Sequence, residues 1–232
     1  MDTAKDARVL VLEDALRRLN EIVGNRKLRM HIEYAKLTES LKTAGTLLYE
    51  VKYSYVDAKT LAELEATKNL LEAIVEFSRL FRAAVKSQAY KSHSVHEKLI
   101  LAEVHYALGI IEGFEQRLLD SNDDPAHAID ILAVEISQTK DVEGSKNLTT
   151  CRCTDGSRIW TIVTNIPTVV TGMKLPCAVL PPVEMMGIVS EAMFLGGEPL
   201  PDNAELGSIK EPNNNALDQA RAQVLQITRR MI

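Results

Sequence analysis

Residues 162–197, IVTNIPTVVTGMKLPCAVLPPVEMMGIVSEAMFLGG, decide how this chain is read. Pro167, Pro176 and the pair Pro181-Pro182 interrupt the stretch too often for a helix, since proline lacks a backbone N–H and clashes with the preceding turn. Just upstream lie two β-rich runs, TTCRC and RIWTIVT, and Asp155-Gly156 between them is the signal of a two-residue hairpin. Alternation along the second run sends Ile159, Thr161 and Val163 to one face and Trp160, Ile162 and Thr164 to the other. Working outward gives five short strands, at 130–136, 148–154, 158–165, 174–180 and 192–195. Five strands with irregular connections predict a small, partly open β-barrel of the OB-fold kind.

Before residue 120 the period changes from two to 3.6. Leu12, Leu16, Leu19 and Val23 recur three and four apart, and Gly24-Asn25 supplies a stop. A second helix is expected over 27–55, with Leu28, Ile32, Ala35, Leu41, Ala44, Leu48 and Val51 on one broad face. Thr60-x-x-Glu63 reads as a capping box opening a third, whose stripe runs through Leu61, Leu64, Leu71, Ile74, Leu80 and Val85. Ser94-x-x-Glu97 opens a fourth, carrying Ile100, Val104, Leu108, Ile111, Phe114 and Leu118. Four amphipathic helices with short connections predict an antiparallel bundle.

The polar run SNDDP at 121–125 marks a domain boundary, and GGEPLPDNAELGSIKEPNNN at 196–215 marks a second break. Ala216, Ala220, Val224 and Ile227 then outline a final helix, with Asn214 or Asn215 as its cap and Arg229-Arg230 in its last turn. The expected fold class is α+β: a helical bundle over 1–124, a five-stranded OB-fold barrel over 125–200, and a linker with a C-terminal helix over 201–232.

The 232 residues are 46% hydrophobic and only 5% aromatic, which suits helix-rich packing by aliphatic side chains. The formal net charge is −5, and residues 125–200 hold five basic and eight acidic side chains. Nonspecific affinity for polyanions rests on Lys and Arg, so this balance argues against a strongly basic nucleic-acid module. VLVL near the start, flanked by Arg8 and Glu13, is far too short for a signal core or a membrane span. Three cysteines suit a reducing compartment better than a disulfide framework, and a cytoplasmic, non-membrane protein is expected.

Cys151-x-Cys153 with Cys177 invites a metal reading, but structural zinc wants four ligands and no histidine lies near in sequence. Small buried thiols are the expectation. His93-x-x-His96 sits at a helix start, where polar residues belong in any case. No nucleophile elbow, phosphate-cradling glycine loop or His-Glu-x-x-His motif occurs, so neither enzymatic activity nor a metal or other cofactor is expected. Trp160, the sole tryptophan, is expected in the core, with base stacking as the alternative.

In order, the elements DILAVEI, a polar loop, the hairpin, IVTNIP, GMKLPCAVLPP and GIVSEAMFLG resemble the tRNA-binding-domain family of OB-folds. That family includes the bacterial tRNA-binding protein and the appended domains of methionyl- and phenylalanyl-tRNA synthetases. Its IVxG strand end, its G-x-K-V-type strand and its G-x-x-S-E-G-M element fall on Ile162-Val163, Gly172, Lys174, Gly187, Ser190, Glu191 and Met193. The likeness spans about residues 129–198. Ala192 stands where the family has glycine, and the family's basic loop corresponds to Pro181–Met186, PPVEMM, which has no Lys or Arg.

The resemblance implies a non-enzymatic RNA-binding protein of the translation machinery, gripping tRNA or another structured RNA with weak electrostatics. Lys146, Arg152, Arg158, Lys174, Ser190 and Met193 are the implied contacts. Ser190, Glu191 and Met193 are read equally as packing and backbone-satisfying residues. The alternative function is a repurposed OB-fold that binds a protein partner, and the apolar helix faces suggest a homodimer.

Overall fold

A computed structural model describes residues 1–87, 92, 94–120, 123–229 and 231. It divides into two compact units, 1–128 with 224–232, and 129–223. His93, Ser121, Asn122 and Arg230 lie outside the described residues, and with them parts of the histidine pair, of the polar boundary run and of the terminal Arg pair.

The first unit contains α1 (Ala7–Gly24), α2 (Tyr34–Lys52), α3 (Ala58–Glu63), α4 (Glu65–Ser87), α5 (Val95–Glu112), α6 (Phe114–Leu119) and a 3-10 turn at Pro125–Ala128. Helix α1 packs on α2 and α5, α2 on α4, and α3 on α6. The core is built from Leu12, Leu16, Leu19, Leu37, Leu41, Leu70, Phe77 and Phe81, all essentially inaccessible to water.

Several boundaries differ from the sequence reading. Helix α2 begins at Tyr34 rather than 27. The segment before it is irregular, and the Tyr34 hydroxyl donates to the Leu28 carbonyl at 2.7 Å. The cap of α3 is Asp57, whose carboxylate accepts from the Thr60 N–H at 3.0 Å. Leu64 then breaks the run with extended backbone, so one expected helix becomes α3 and α4. The buried stripe of α4 is Leu70, Ile74, Phe77 and Phe81, with Leu71, Leu80 and Val85 only half-buried at its margins. The Ser94 cap is observed, accepting from the Glu97 N–H at 3.1 Å. Gly113 separates α5 from α6, and the Arg117 guanidinium folds back to donate to the carbonyl of Ile110. A methyl group at Gly113 would lie 2.6 Å from that guanidinium, so the missing side chain makes room for the cation that caps α5.

The second unit contains β1 (Ile131–Asp141), β2 (Thr149–Thr154), β3 (Ile159–Thr164), β4 (Lys174–Met185), β5 (Ile188–Phe194) and β6 (Gly207–Ser208). Helix α7 (Asn214–Thr228) follows and runs past the division between the units at 223. The sheet is antiparallel with order β3-β2-β1-β4-β5, and β6 pairs with β1. Its two end strands, β3 and β5, lie against each other and close the sheet into a partly open five-stranded barrel. Val134, Ile136, Cys151, Cys153, Ile162, Leu175 and Cys177 fill the interior.

On β3, Trp160, Ile162 and Thr164 are buried and Ile159 is 48% exposed, while Val163, on the face of Ile159, is buried as well. The β2–β3 connection is four residues long rather than two, because Thr154 pairs with Ile159. Strand β4 continues through Pro181 and Pro182 to Met185, so the expected PPVEMM loop is mostly strand. The prolines lack ladder donors, and the β4–β5 register slips between Val179 and Val183, where they sit. Met186 and Gly187, with φ of 50° and 80°, form the two-residue turn into β5. The linker after the barrel supplies β6, and α7 is capped by Asn213, whose side chain accepts from the Ala216 N–H at 2.8 Å.

Candidate nucleic-acid interface

The order of the sheet leaves backbone N–H groups of β3 with no neighbouring strand ladder on the β5 side. Two side chains of β5 fill that role. The Ser190 hydroxyl accepts from the Val163 N–H at 3.0 Å and donates to the Ala192 carbonyl at 3.1 Å. Glu191 accepts from the Thr161 N–H at 3.1 Å. Ser190 is 3% exposed, so its hydroxyl is spent inside the protein and presents nothing to solvent. The Ser-Glu pair is a clasp that closes the barrel.

The other oxygen of Glu191 accepts from the Arg158 guanidinium at 2.5 Å. Arg158 also lies over the Trp160 ring, its Cζ 3.7 Å from the centroid. Trp160 is buried, and its indole N–H donates to Asp155 at 2.8 Å. Burial pushes the Asp155 carboxyl up, but donation from the backbone N–H groups of Arg158 and Ser157, the indole and the Ser157 hydroxyl outweighs it and holds the carboxyl below its usual range. Asp155, Arg158, Trp160 and Glu191 thus form one connected assembly at the hairpin end of the barrel.

The remaining candidates are dispersed. Arg152 is exposed on the outer face of β2, opposite Gln138 and Thr161. Lys140, which the sequence reading counted but did not single out, faces the same way opposite Thr150. The two cations are therefore diagonal neighbours, roughly 7–8 Å apart at the backbone. Among the described residues neither makes an ion pair. Only the register of β1 against β2, shifted by the bulge between Ile136 and Gln138, brings them together, so spacing in sequence could not reveal it. Lys146 is exposed in the loop between β1 and β2. Lys174 donates to the carbonyls of Asp202 at 2.6 Å and Ala204 at 2.8 Å, pinning the segment that leads into β6. Met193 is half-buried on the outer side of β5.

Cys151, Cys153 and Cys177 are free and fully buried. Burial pushes the Cys151 thiol up to about 11 and the Cys153 thiol to about 12, and Cys177 upward as well. No group of three or more metal-ligating side chains occurs among the described residues.

The fold and this surface define a helical domain joined to an OB-type barrel with an outward-facing pair of cations. The chain belongs to the family described as Alpha helical domain, whose model matches residues 1–120. Residues 131–217 match the family described as Putative tRNA binding domain, a span that takes in β6 and the start of α7 as well as the five barrel strands. No curated protein matches the chain. No described helix is long and apolar enough to cross a membrane.

Proposed function

We propose that the barrel binds tRNA through the outer face of β1, β2 and β3, as a non-enzymatic component of translation in the cytoplasm. The membership of residues 131–217 in the tRNA-binding-type family supports the ligand class. The single observation that carries the location is the cation pair Lys140 and Arg152, with no ion-pair partner among the described residues. Lys146, in the adjoining loop, extends the electrostatic footprint. Ser190 acts from the interior by closing the barrel, and the half-buried Lys174 holds the strap before β6. With so few free cations the interaction is weak at physiological salt and shallow in its salt dependence.

Affinity for unmodified tRNA, measured against salt concentration, tests this. Arg152→Ala and Lys140→Ala should each weaken binding and flatten the slope of log K against log salt by about 0.7–0.9. Wild-type protein that binds no tRNA even at low salt would end the RNA reading. The exposed Val183, Met185 and Met186 at the β4–β5 tip favour the second reading, in which the domain docks a protein partner or another copy of itself. Sedimentation at micromolar concentration separates the self-associating case.

A further inference from the structure

We propose that Arg158, laid over Trp160, is a stacking platform for one unpaired nucleobase rather than a phosphate clamp; this rests on the RNA reading above. A guanidinium at 2.5 Å from a carboxylate is already neutralised, so a phosphate meeting Arg158 would have to displace Glu191. Glu191 is itself held by the Thr161 N–H and is only 20% exposed, which makes that displacement costly. The flat faces of the guanidinium remain. One covers the buried indole at 3.7 Å, and the side chain keeps 38% of its surface open to solvent.

Every part of the platform is fixed before a ligand arrives. The indole is anchored by its bond to Asp155 at 2.8 Å. Asp155 is anchored in turn by the N–H groups of Ser157 at 2.7 Å and Arg158 at 2.8 Å. A planar, preorganised cation is a good partner for a base, because all four bases offer a π-face and little side-chain freedom is lost on contact. A base within a duplex has both faces covered by its neighbours. The ligand chemistry is therefore a single-stranded tail, loop or bulge beside a helical segment held by Lys140 and Arg152.

The full-length protein should be titrated with a single-stranded RNA oligonucleotide bearing 2-aminopurine and with a duplex of matched charge. Arg158→Lys keeps the charge and the reach to Glu191 but removes the plane. It should weaken single-strand binding about tenfold and abolish the fluorescence quench of the stacked probe, while duplex affinity, which also reports that the variant is folded, stays unchanged. Glu191→Gln should release the guanidinium and steepen the salt slope by about 0.7 for the single strand. Single-strand affinity and quench retained in Arg158→Lys would overturn the platform alone. Failure of the wild type to bind either probe at low salt would overturn the RNA reading beneath it.

Discussion

Ser94 and Ser190 both accept a hydrogen bond from a backbone N–H, yet they stand in regions built on different terms. In the helical unit the backbone is satisfied within each helix, and side chains are needed only at the ends: Asp6, Asp57 and Ser94 each cap a first turn. The ends at Asp57 and Ser94 are open to water, which can take over an acceptor's role. In the barrel the donors of β3 face β5 without a strand ladder, and the buried Ser190 and half-buried Glu191 supply the acceptors. The same chemistry is thus a replaceable cap in one unit and an irreplaceable clasp in the other. A residue's neighbours across the fold, more than its type, set what it contributes.

The comparison can be broken or sharpened by measurement, because Trp160 is the sole tryptophan and reports the barrel, while far-ultraviolet dichroism is dominated by the helices. Phe77→Ala removes a fully buried ring from α4 and should cost about 3–5 kcal/mol. The helix signal should shift in a denaturant titration while the Trp160 transition holds its midpoint; coincident shifts would show that the two units unfold as one.

Alkaline pH should do the reverse. The folded thiols are raised above their ordinary 9.0, to about 11 for Cys151 and about 12 for Cys153. Their stabilisation is complete below pH 9 and is lost as the unfolded thiols ionise above it. All three cysteines lie in the barrel, so its Trp160 transition should weaken by roughly 3 kcal/mol between pH 9 and pH 10. A titration that weakens only the helix signal over that range would contradict the assignment.

Ser190→Ala leaves the Val163 N–H buried without its acceptor and should cost about 1–3 kcal/mol, read from the Trp160 transition. Ser94→Ala opens a cap that water can serve and should cost about 1 kcal/mol, read by dichroism. Equal costs for the two serines would remove the distinction between cap and clasp.

The helices and the strands were legible because their signals are local. Leu12, Leu16 and Leu19 at helical spacing, and the alternation from Ile159 to Thr164, carry their structure within a few residues. The misread places are those where a neighbour in space overrules the local signal. Proline at 181 and 182 argues against a strand, yet β5 pairs with β4 beyond them at Val183, Glu184 and Met185. The polar segment before α7 resembles a linker, yet Gly207 and Ser208 pair with β1. The break at Leu64 is invisible in an unbroken apolar period.

By itself the sequence determined the α+β class, the order of helices then strands, the inward set of β3, the Ser94 cap and the tRNA-binding-type pattern of the barrel. The tertiary structure alone decided which groups the candidate side chains meet. Ser190 reaches Val163 across 27 residues and Glu191 reaches Arg158 across 33, while Lys140 meets Arg152 through a bulged register. Periodicity reports which face a side chain occupies, but only strand pairing and barrel closure report what waits on that face. Ser190 and Lys174 thereby find partners within the chain, and Lys140, which no motif had marked, stands beside Arg152.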